Sequence, residues 1–559
     1  MTSVITAKRG GVFLLENAAP EAVFTPEDLT PEHRAIAKTT DEFWTRDIAP
    51  HLEAIRHQEY QVAVGILKKS AAAGLLGVVI PEQFGGMGMD LASMMIVAEG
   101  MARDGSYAAW HGAHAGIGTL PVLLFGTEAQ KSRYLPPLAS AEMIAAYCLS
   151  EPQAGSDALA ARTRADLSPD GTHYVLNGQK MWITNGGFAD LFTVFAKIGG
   201  DKFTAFLVER AWPGVSTGAE EQKMGLKGSS TTAVYFDNVR VPVENVLGEI
   251  GRGHIIAFNI LNLGRLMLGA FAQGGCREAL SLSIRHARDR KAFGQPIAEF
   301  GLIQHKLAEM AIRMYASESM LYRVTGDIDR AGTLLQAAEE FAIESSLVKI
   351  FASEALDYVV DEGVQIHGGY GFHRDYAIEH AYRDARVNRI FEGTNEINRL
   401  LATGMLLKRA QRGLLPLADA VKKLTPKPSL NAIEDAKKIG LFVLGAAYRK
   451  YQGAIEEQQE IVAAITDILM NCYALESALL RARKCGRENA NDMAAVFASE
   501  AMEAIHTAAR MVAAACSEGD ALRANLAVLQ RLASLEPVDT IGLRRRISAR
   551  LIERGHYLV

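Results

Sequence analysis

The segment HYVLNGQKMWITNG, residues 173–186, decides how the chain is organised. Its β-branched and aromatic residues end in an Asn-Gly pair, which is typical of a strand that leads into a turn. Three similar runs follow, each bounded by Gly, Asn, Asp or Pro: DLFTVFAKI (190–198), FTAFLVER (203–210) and AVYFDNVRV (233–241). We therefore predict a small antiparallel β-domain over residues 145–255.

On both sides of this β-domain the apolar residues recur at helical spacing. An N-terminal helical domain is predicted over residues 25–144, and Thr30 is the expected cap of its first helix. Long helical patterns over residues 256–424 predict a bundle. Two prolines in LTPKPSLN (424–431) indicate a linker to an appended helical domain, residues 430–559. The predicted fold class is α+β, mainly α.

The composition is that of an ordinary globular protein of several domains. The chain has 559 residues, of which 49% are hydrophobic and 22% charged. This length predicts about two to four domains rather than one core. The formal net charge of −5 provides no general attraction for nucleic acid. The five cysteines form no CxxC pair, so we expect reduced, mostly buried thiols and no metal site.

The first 24 residues are predicted to be a leader, either flexible or loosely packed. The apolar run Val12–Leu15 is too short for a secretory signal, and the segment has too few Arg and Ser residues for an organelle transit peptide. No apolar run approaches the roughly 20 residues of a membrane span. A cytoplasmic location is therefore expected.

Two motifs in the β-domain have both a structural and a functional interpretation. In AYCLSEPQAGSDALA (146–160), the small residues around Gly155 are typical of a surface loop or of a backbone cradle for phosphate. Trp182 and Thr184 lie two residues apart, so they face the same side of a strand. A strand Trp is often a core residue, but a Trp beside a hydroxyl also suits a planar ring such as a flavin.

Three motifs in the predicted bundle also have both a structural and a functional interpretation. RDRKAFGQPI (288–297) fits a solvated helix end or a pyrophosphate contact, since Arg donors match phosphate oxygens. The glycines of QIHGGYGFHRDY (365–376) fit a helix C-cap or close backbone approach to a ligand. In RIFEGTNEINRL (389–400), Glu392 is either a solvated turn residue or a proton acceptor. There we expect Thr394 to cap the next helix, and Ile390 and Phe391 to keep water from the acid.

With KMGLKGSSTTAVYFDNVRVP (223–242) and ILNLGR (260–265), these motifs make residues 30–410 resemble the acyl-CoA dehydrogenase family. The resemblance implies an N-terminal helical domain, a middle β-domain and a C-terminal four-helix bundle. The appended domain makes the chain most similar to the very-long-chain branch. The resemblance also implies FAD as cofactor and oxidation of a long-chain acyl-CoA to the trans-2-enoyl-CoA in fatty-acid β-oxidation. The implied electron acceptor is an electron-transfer flavoprotein.

Site residues follow from the same resemblance. Glu392 falls on the family's catalytic base, which takes the α proton while hydride passes from the β carbon to the flavin. Other branches carry the base at the position of Gly264, which has no side chain to serve, so Glu392 keeps the role. The implied acyl-CoA contacts are Ser156, Asn262, Arg265 and Gly393. The implied FAD contacts are Tyr147, Leu149, Ser150, Gly155, Ser156, Trp182, Ile183, Thr184, Arg290, Phe293, Gln365, Ile366, Gly368, Gly369, Thr394, Asn395 and Glu396.

In this family the adenosine half of FAD is reached from a neighbouring subunit, so the resemblance implies a homo-oligomer, with a homodimer as first expectation.

Two alternative functions and one alternative location stay open. An acyl-CoA oxidase shares the proton and hydride steps but reoxidises with oxygen. A scaffold protein would retain the fold without the reaction. The basic amphipathic stretch 405–424 is typical of a helix packed on its own protein or of one lying on the inner face of a membrane.

Overall fold

The computed structural model describes residues 9–429 and 431–559, and the chain divides into two compact units. We call one the sheet unit, which comprises Thr30–Gly275 and Arg383–Val387. The other, the bundle unit, comprises residues 9–29, Cys276–Tyr382 and Asn388–Val559. The predicted N-terminal helical domain and β-domain therefore lie in one unit, and most of the predicted bundle and the appended domain lie in the other.

The sheet unit begins with short helices. The first starts where the sequence predicts, because Thr30 Oγ1 accepts a hydrogen bond of 3.2 Å from the backbone N–H of His33, and Pro31 is the first helical residue. The helices before the sheet are α1 (Pro31–Phe43), α2 (Leu52–Arg56), α3 (Tyr60–Ala72), α4 (Leu91–Met101), α5 (Gly105–Gly112), α6 (Leu120–Phe125) and α7 (Glu128–Ala139).

The predicted strands are confirmed, but the sheet is mixed rather than purely antiparallel. Its strands are β1 (Ala145–Cys148), β2 (Arg164–Leu167), β3 (His173–Thr184), β4 (Leu191–Ile198), β5 (Lys202–Glu209), β6 (Val215–Glu220), β7 (Thr231–Pro242) and β8 (Val246–Leu247). The order is β6-β7-β3-β2-β4-β5-β8, and β1 pairs with β4 in parallel. A long connection joins β1 to β4, so no hairpin forces the two to run in opposite directions.

Long helices dominate the rest of the chain. Helix α8 (Gly253–Asp289) begins in the sheet unit and ends in the bundle unit, and a short hairpin, β9 (Lys291–Ala292) and β10 (Gln295–Pro296), follows it. The next helices are α9 (Gly301–Asp329), α10 (Leu334–Glu340), α11 (Ala342–His367), α12 (Ala377–Ala385), α13 (Asn395–Gln411) and α14 (Leu417–Lys423). The appended helices are α15 (Ala432–Tyr451), α16 (Gln459–Cys485), α17 (Glu488–Cys516), α18 (Gly519–Leu532) and α19 (Thr540–Arg554).

Residues 424–429 and 431 of the predicted linker lie outside any helix or strand, and the helices on either side, α14 and α15, belong to the same bundle unit; residue 430 lies outside the described residues. The amphipathic stretch 405–424 forms the end of α13 and all of α14, and its apolar residues Leu406, Leu407 and Leu417 are buried. Its apolar side therefore packs within the protein.

Residues 9–24 differ from the expected leader because they pack into the bundle unit. Phe13 and Leu14 are 4% and 1% exposed. The backbone N–H of Gly10 donates to Glu340 Oε1 at 2.8 Å, and that of Gly11 donates to Glu344 Oε1 at 2.7 Å. The remainder of the predicted leader, residues 1–8, lies outside the described residues.

Helices α8 and α16 are long and apolar enough to cross a membrane by length and composition. Their apolar stretches are 78% and 83% buried inside the protein, as is common for core helices. All five cysteines are free thiols, and Cys148, Cys276 and Cys472 are buried, as predicted.

Candidate active site

The loop after β1, residues 149–163, is called the cradle loop, and a buried ion pair determines its shape. Glu151 is 4% exposed, and its carboxylate accepts hydrogen bonds from Arg162 N at 2.6 Å, Thr163 N at 3.0 Å and Thr163 Oγ1 at 2.6 Å. Lys180 of β3 is fully buried and donates to Glu151 Oε1 at 2.8 Å. The loop is therefore tied to the strand that carries Trp182.

The pKa values of this pair follow from burial and charge together. Burial opposes ionisation of Glu151, but the charge of Lys180 and the hydrogen bond from Arg162 outweigh it and hold the pKa of Glu151 below its usual value. Burial lowers the pKa of Lys180 against the pull of Glu151. The loop is thus held by opposite charges in a place of low dielectric, where each group depends on the other.

The tip of the cradle loop is open. Gly155 and Ser156 are exposed, and a Cβ built on Gly155 would meet no atom within 4 Å. Ser150 O accepts a hydrogen bond of 3.0 Å from Met181 N, which brings the loop beside β3. This arrangement leaves room for a ligand at backbone distance, as the phosphate-cradle interpretation requires.

Strand β3 has a bulge at Trp182. The pairing with β7 shifts register between Lys180 and Ile183, and Trp182 has a left-handed backbone with φ of 61°. Trp182 is 56% exposed and Thr184 half-buried, whereas Ile183 between them is 2% exposed. We predicted that Trp182 and Thr184 face the same side; both are more exposed than Ile183, but the bulge and the left-handed φ of Trp182 interrupt the regular alternation on which that prediction rests. The side chain of Ile183 belongs to the core.

The predicted acyl-CoA contacts on α8 form a pair. Asn262 and Arg265 are 7% and 3% exposed, and Arg265 Nη1 donates to Asn262 Oδ1 at 2.8 Å. Tyr147 and Leu149 are also buried, and Tyr147 Oη donates to Ala257 O on the same helix at 3.3 Å. These residues and the cradle loop all belong to the sheet unit.

The bundle unit contains an open cavity of about 700 Å³. It brings together four of the predicted FAD contacts, and its lining consists of His286, Arg290, Ile297, Ile366, His367, Gly368, Gly369, Tyr370, His373, Asp375 and Tyr376. A Cβ built on Gly368 or Gly369 would meet no atom within 4 Å, so the backbone is open to a ligand there. Phe293 and Gln365 do not line this cavity, although both are exposed.

The cavity lining contains Arg290, Asp375 and a stacked pair of histidines. The rings of His286 and His367 stack at 4.2 Å between centroids. Burial, with His367 and Arg290 nearby, lowers the pKa of His286 to about 4, so this ring is neutral at pH 7. Arg290 lies over the ring of Tyr370, with Cζ 5.6 Å from the centroid. The cavity therefore offers an arginine and an aromatic face, which suit an anionic and a planar group.

The stretch around Glu392 forms a tight bend, and we call residues 392–394 the acid bend. Glu392 and Gly393 have left-handed backbones with φ of 56° and 79°. Thr394 Oγ1 accepts a hydrogen bond of 3.2 Å from Ile397 N, so the predicted cap of α13 is confirmed. The left-handed Glu392 was not predicted from the sequence. Such a backbone costs a non-glycine residue about 1 kcal/mol, and these strained residues cluster at functional sites.

The groups that hold the acid bend differ from those expected. Ile390 and Phe391 are 52% and 37% exposed in the chain, so they are not buried anchors. Instead Lys349 of α11, which is fully buried, donates to Gly393 O at 2.7 Å. Asn398 Nδ2 donates to the same oxygen at 2.9 Å. Sequence reasoning missed both residues, although a lysine within the apolar run LVKIFA was a visible signal.

The remaining predicted contacts of this stretch separate into two kinds. Glu396 is exposed in the first turn of α13, where its carboxylate suits the helix N-terminus. Asn395 is 2% exposed, and its Oδ1 accepts from Lys349 Nζ at 2.7 Å. The side chain of Asn395 is therefore engaged inside the protein.

Family sequence models match nearly the whole chain. Those described as the acyl-CoA dehydrogenase N-terminal, middle and C-terminal domains match residues 30–142, 146–239 and 251–406. A further model, also described as an acyl-CoA dehydrogenase C-terminal domain, matches residues 435–531 in the appended domain.

Individual relatives agree with these models. A probable acyl-CoA dehydrogenase of Bacillus subtilis is 46% identical over 586 aligned positions, which cover 99% of both chains. The human mitochondrial very long-chain specific acyl-CoA dehydrogenase is 47% identical over 338 positions, or 58% of this chain and 50% of the relative. A crystal structure of an acyl-CoA dehydrogenase complexed with FAD, from Bacillus anthracis, is 47% identical with a TM-score of 0.96 and covers 99% of this chain and 100% of that one.

Proposed function

Because the chain belongs to the acyl-CoA dehydrogenase family, we propose that it oxidises a long-chain acyl-CoA to the trans-2-enoyl-CoA, with Glu392 as the base. The observation that carries the proposal is the acid bend, because an energetically unfavourable left-handed backbone is retained at the one carboxylate that the reaction requires. The similarity to very long-chain specific relatives supports a long acyl chain.

The proton step falls to Glu392. The α proton of a thioester is only weakly acidic, so its removal needs a base held at a defined distance and donors for the developing enolate oxygen. The bend fixes the backbone from which the Glu392 carboxylate projects. When the carboxylate takes the α proton, the C–H electron pair forms the Cα–Cβ double bond and hydride leaves Cβ.

Residues of the described chain fit the FAD that the family uses. FAD, when bound, supplies the acceptor for this hydride. In the sheet unit, exposed Trp182 offers a face for a planar ring and open Gly155 allows close backbone approach to a ligand. In the bundle unit, open Gly368 and Gly369 allow close backbone approach at the cavity. Arg290 at the bundle-unit cavity would bind an anionic part of the cofactor. Asn262 and Arg265 would bind the coenzyme A part of the substrate.

The wider role is proposed on the same basis. Electrons would pass to an electron-transfer flavoprotein, and the enoyl product would enter fatty-acid β-oxidation. We propose a homodimer in the cytoplasm, in which exposed Phe293 and the cavity of one subunit reach the cofactor of the other. Association with the inner face of a membrane is the weaker part of this proposal, because the apolar side of stretch 405–424 is buried.

The first experiment measures flavin bleaching. The purified protein is mixed anaerobically with saturated acyl-CoA thioesters of increasing chain length, and absorbance of the oxidised flavin is followed. We expect yellow protein, fast bleaching with long chains and enoyl-CoA as product. A flavin-free preparation that does not take up added FAD would refute the enzyme and favour the scaffold alternative.

The second experiment changes Glu392→Gln, which removes the base with little change of volume. Bleaching should slow by about 10²–10⁴-fold, the usual contribution of a general base, with FAD content unchanged. A matched change at exposed Glu457→Gln, which belongs to none of the predicted contacts, should leave bleaching within twofold. Equal rates for the wild type and Glu392→Gln would place the base elsewhere.

Oxygen consumption distinguishes the dehydrogenase from the oxidase. With electron-transfer flavoprotein as acceptor, enoyl-CoA should form with little hydrogen peroxide. Stoichiometric peroxide in air, without any added acceptor, would establish the oxidase alternative.

A further inference from the structure

We infer that Lys349 is a positioning residue for Glu392: its buried ammonium fixes the acid bend and thereby the place of the carboxylate. This inference rests on the proposed function, since it concerns the geometry of the proposed base. Lys349 lies in the middle of α11, 43 residues before the acid it serves, and none of the motifs of the sequence contains it.

The Lys349 ammonium is buried and binds two oxygens at the acid bend and the start of α13. Lys349 is 0% exposed, and a buried ammonium is stable only when its donors have good acceptors. Nζ donates to Gly393 O at 2.7 Å and to Asn395 Oδ1 at 2.7 Å, distances of strong charge-assisted hydrogen bonds. The ammonium therefore binds Gly393, the second residue of the left-handed pair, and Asn395, the first residue of α13.

Gly393 O is held from two sides by Lys349 and Asn398, which together we call the clamp. Asn398 is 0% exposed, and its Nδ2 lies 2.9 Å from Gly393 O, 3.0 Å from Thr394 O and 3.4 Å from Glu392 O. With Lys349 on the same Gly393 oxygen, the carbonyls of the acid bend face one small cluster of donors. Rotation of Glu392 or Gly393 out of the left-handed region would move Gly393 O away from both donors.

The clamp is connected to further residues through Asn395, which accepts a hydrogen bond from Lys349. Asn395 Nδ2 donates to Ser353 Oγ and to Glu354 Oε1, each at 3.0 Å. Arg399 binds Glu354 through both Nη atoms at 2.8 and 3.1 Å, and its Nε donates to Asp467 of α16 at 2.8 Å. The network thus runs from Lys349 to the appended domain, which gives that domain a part in holding the bend.

Loss of Lys349 should lower the rate of proton removal rather than the binding of substrate or cofactor. A base that is misplaced by about 1 Å can lose about 100-fold in rate. Without Lys349, the preference of Glu392 for a right-handed or extended backbone is no longer opposed from that side, so the carboxylate should occupy several positions. Cofactor and substrate contacts on other residues remain, so their binding should change little.

The test compares Lys349→Met, which keeps the length of the side chain without its charge, with two other variants. Lys437→Met is the control for loss of a buried lysine outside the acid bend: Lys437 is 5% exposed and donates to Glu16 O at 2.7 Å and to the Glu476 carboxylate at 2.6 Å. Glu392→Gln tests the proposed function itself. The measurements are the maximal anaerobic bleaching rate per bound FAD, KM, the thermal midpoint, and the isotope effect with substrate deuterated at the α carbon.

We expect Lys349→Met to lose about 10–100-fold in bleaching rate per bound FAD, with KM within about twofold. The α-deuterium isotope effect should rise, because proton removal becomes more rate-limiting. Lys437→Met should lower the thermal midpoint and leave both the rate per bound FAD and the isotope effect unchanged. A purely structural Lys349 would behave as Lys437 does.

The outcomes separate the two claims. If Glu392→Gln keeps the full rate, the proposed base is wrong. If Glu392→Gln is slow but Lys349→Met keeps its rate per bound FAD within twofold, the inference on Lys349 is overturned. Should Lys349→Met yield no flavin-loaded protein, Asn398→Ala takes its place. The same slower rate and larger isotope effect are expected there, and wild-type values of both would equally overturn the inference.

Discussion

The cradle loop and the acid bend are both held by a fully buried lysine, yet the two lysines act differently. Lys180 in the sheet unit binds the carboxylate of Glu151 at 2.8 Å and also donates to the carbonyl of Leu149 at 3.1 Å. Lys349 in the bundle unit binds neutral oxygens, a backbone carbonyl and a side-chain amide, at 2.7 Å each. An ion pair ties two distant segments together by charge, whereas hydrogen bonds to neutral dipoles fix a local backbone direction.

This difference predicts different consequences of losing each lysine. Removal of Lys180 leaves a buried carboxylate without its cation, which is an energetic penalty for the folded state as a whole. Removal of Lys349 frees a bend at the proposed base. The first lysine should therefore affect stability and cofactor retention, and the second should mainly affect the rate.

The largest expected effect on stability comes from Lys180→Met. We expect a loss of about 3–5 kcal/mol in the free energy of unfolding, the usual result of breaking a buried ion pair from one side. The cradle loop should then lose its shape, and the ratio of FAD to protein should fall. Urea unfolding and flavin absorbance measure the two effects. Exposed Lys202→Met on β5 is the control, and equal stabilities for the two variants would contradict the prediction.

Glu344 is a buried carboxylate that accepts a hydrogen bond from the backbone N–H of Gly11 rather than from a lysine. Burial raises the pKa of Glu344 to about 7, although the N–H of Gly11 opposes it. The folded state therefore keeps a proton that the unfolded state releases above about pH 4.5. Stability should fall as pH rises from about 4.5 to 7, by at most about 3 kcal/mol, and Glu344→Gln should remove this dependence.

Glu151 should show the opposite sign. Its folded pKa lies below the usual value, so its contribution is present above the unfolded pKa and is lost as pH falls through the folded pKa. Urea unfolding of Glu344→Gln and Glu151→Gln from about pH 2.5 to 8 measures both trends, since the Glu151 contribution is lost below about pH 4.5. Parallel curves for the two variants would show that partner charge does not govern these acids.

The smallest effect is expected at the cap beside the acid bend. Thr394→Ala removes the hydroxyl that accepts from Ile397 N, which should cost about 1 kcal/mol of stability. Thr333 caps α10 in the same way, with its Oγ1 accepting from Gln336 N at 3.4 Å, so Thr333→Ala is the matched control. Because Lys349 and Asn398 still hold the bend, both variants should bleach flavin within a few-fold of the wild-type rate. A loss of 100-fold in Thr394→Ala would mean that the cap, rather than the clamp, holds Glu392.

Patterns that depend on neighbours in sequence were predictable. The β-branched and aromatic run predicted strand β3, and the Thr-Pro pair at 30–31 predicted the start of α1. The bulge at Trp182 within β3 was not predicted. Strand direction was less predictable: the parallel pairing of β1 with β4 joins residues that are far apart in the chain. The packing of residues 9–24 was also missed, since its partners Glu340 and Glu344 lie more than 300 residues away.

By itself the sequence determined the family, the helical and β segments, and Glu392 as the candidate base, because these rest on local periodicity and on motifs of adjacent residues. Only the tertiary structure decided how this candidate base is held. The left-handed φ of Glu392 is sustained by Lys349, whose ammonium reaches Gly393 O across 44 residues of chain. A hydrogen bond of this kind depends on distance in space, so the local pattern of the sequence does not predict it.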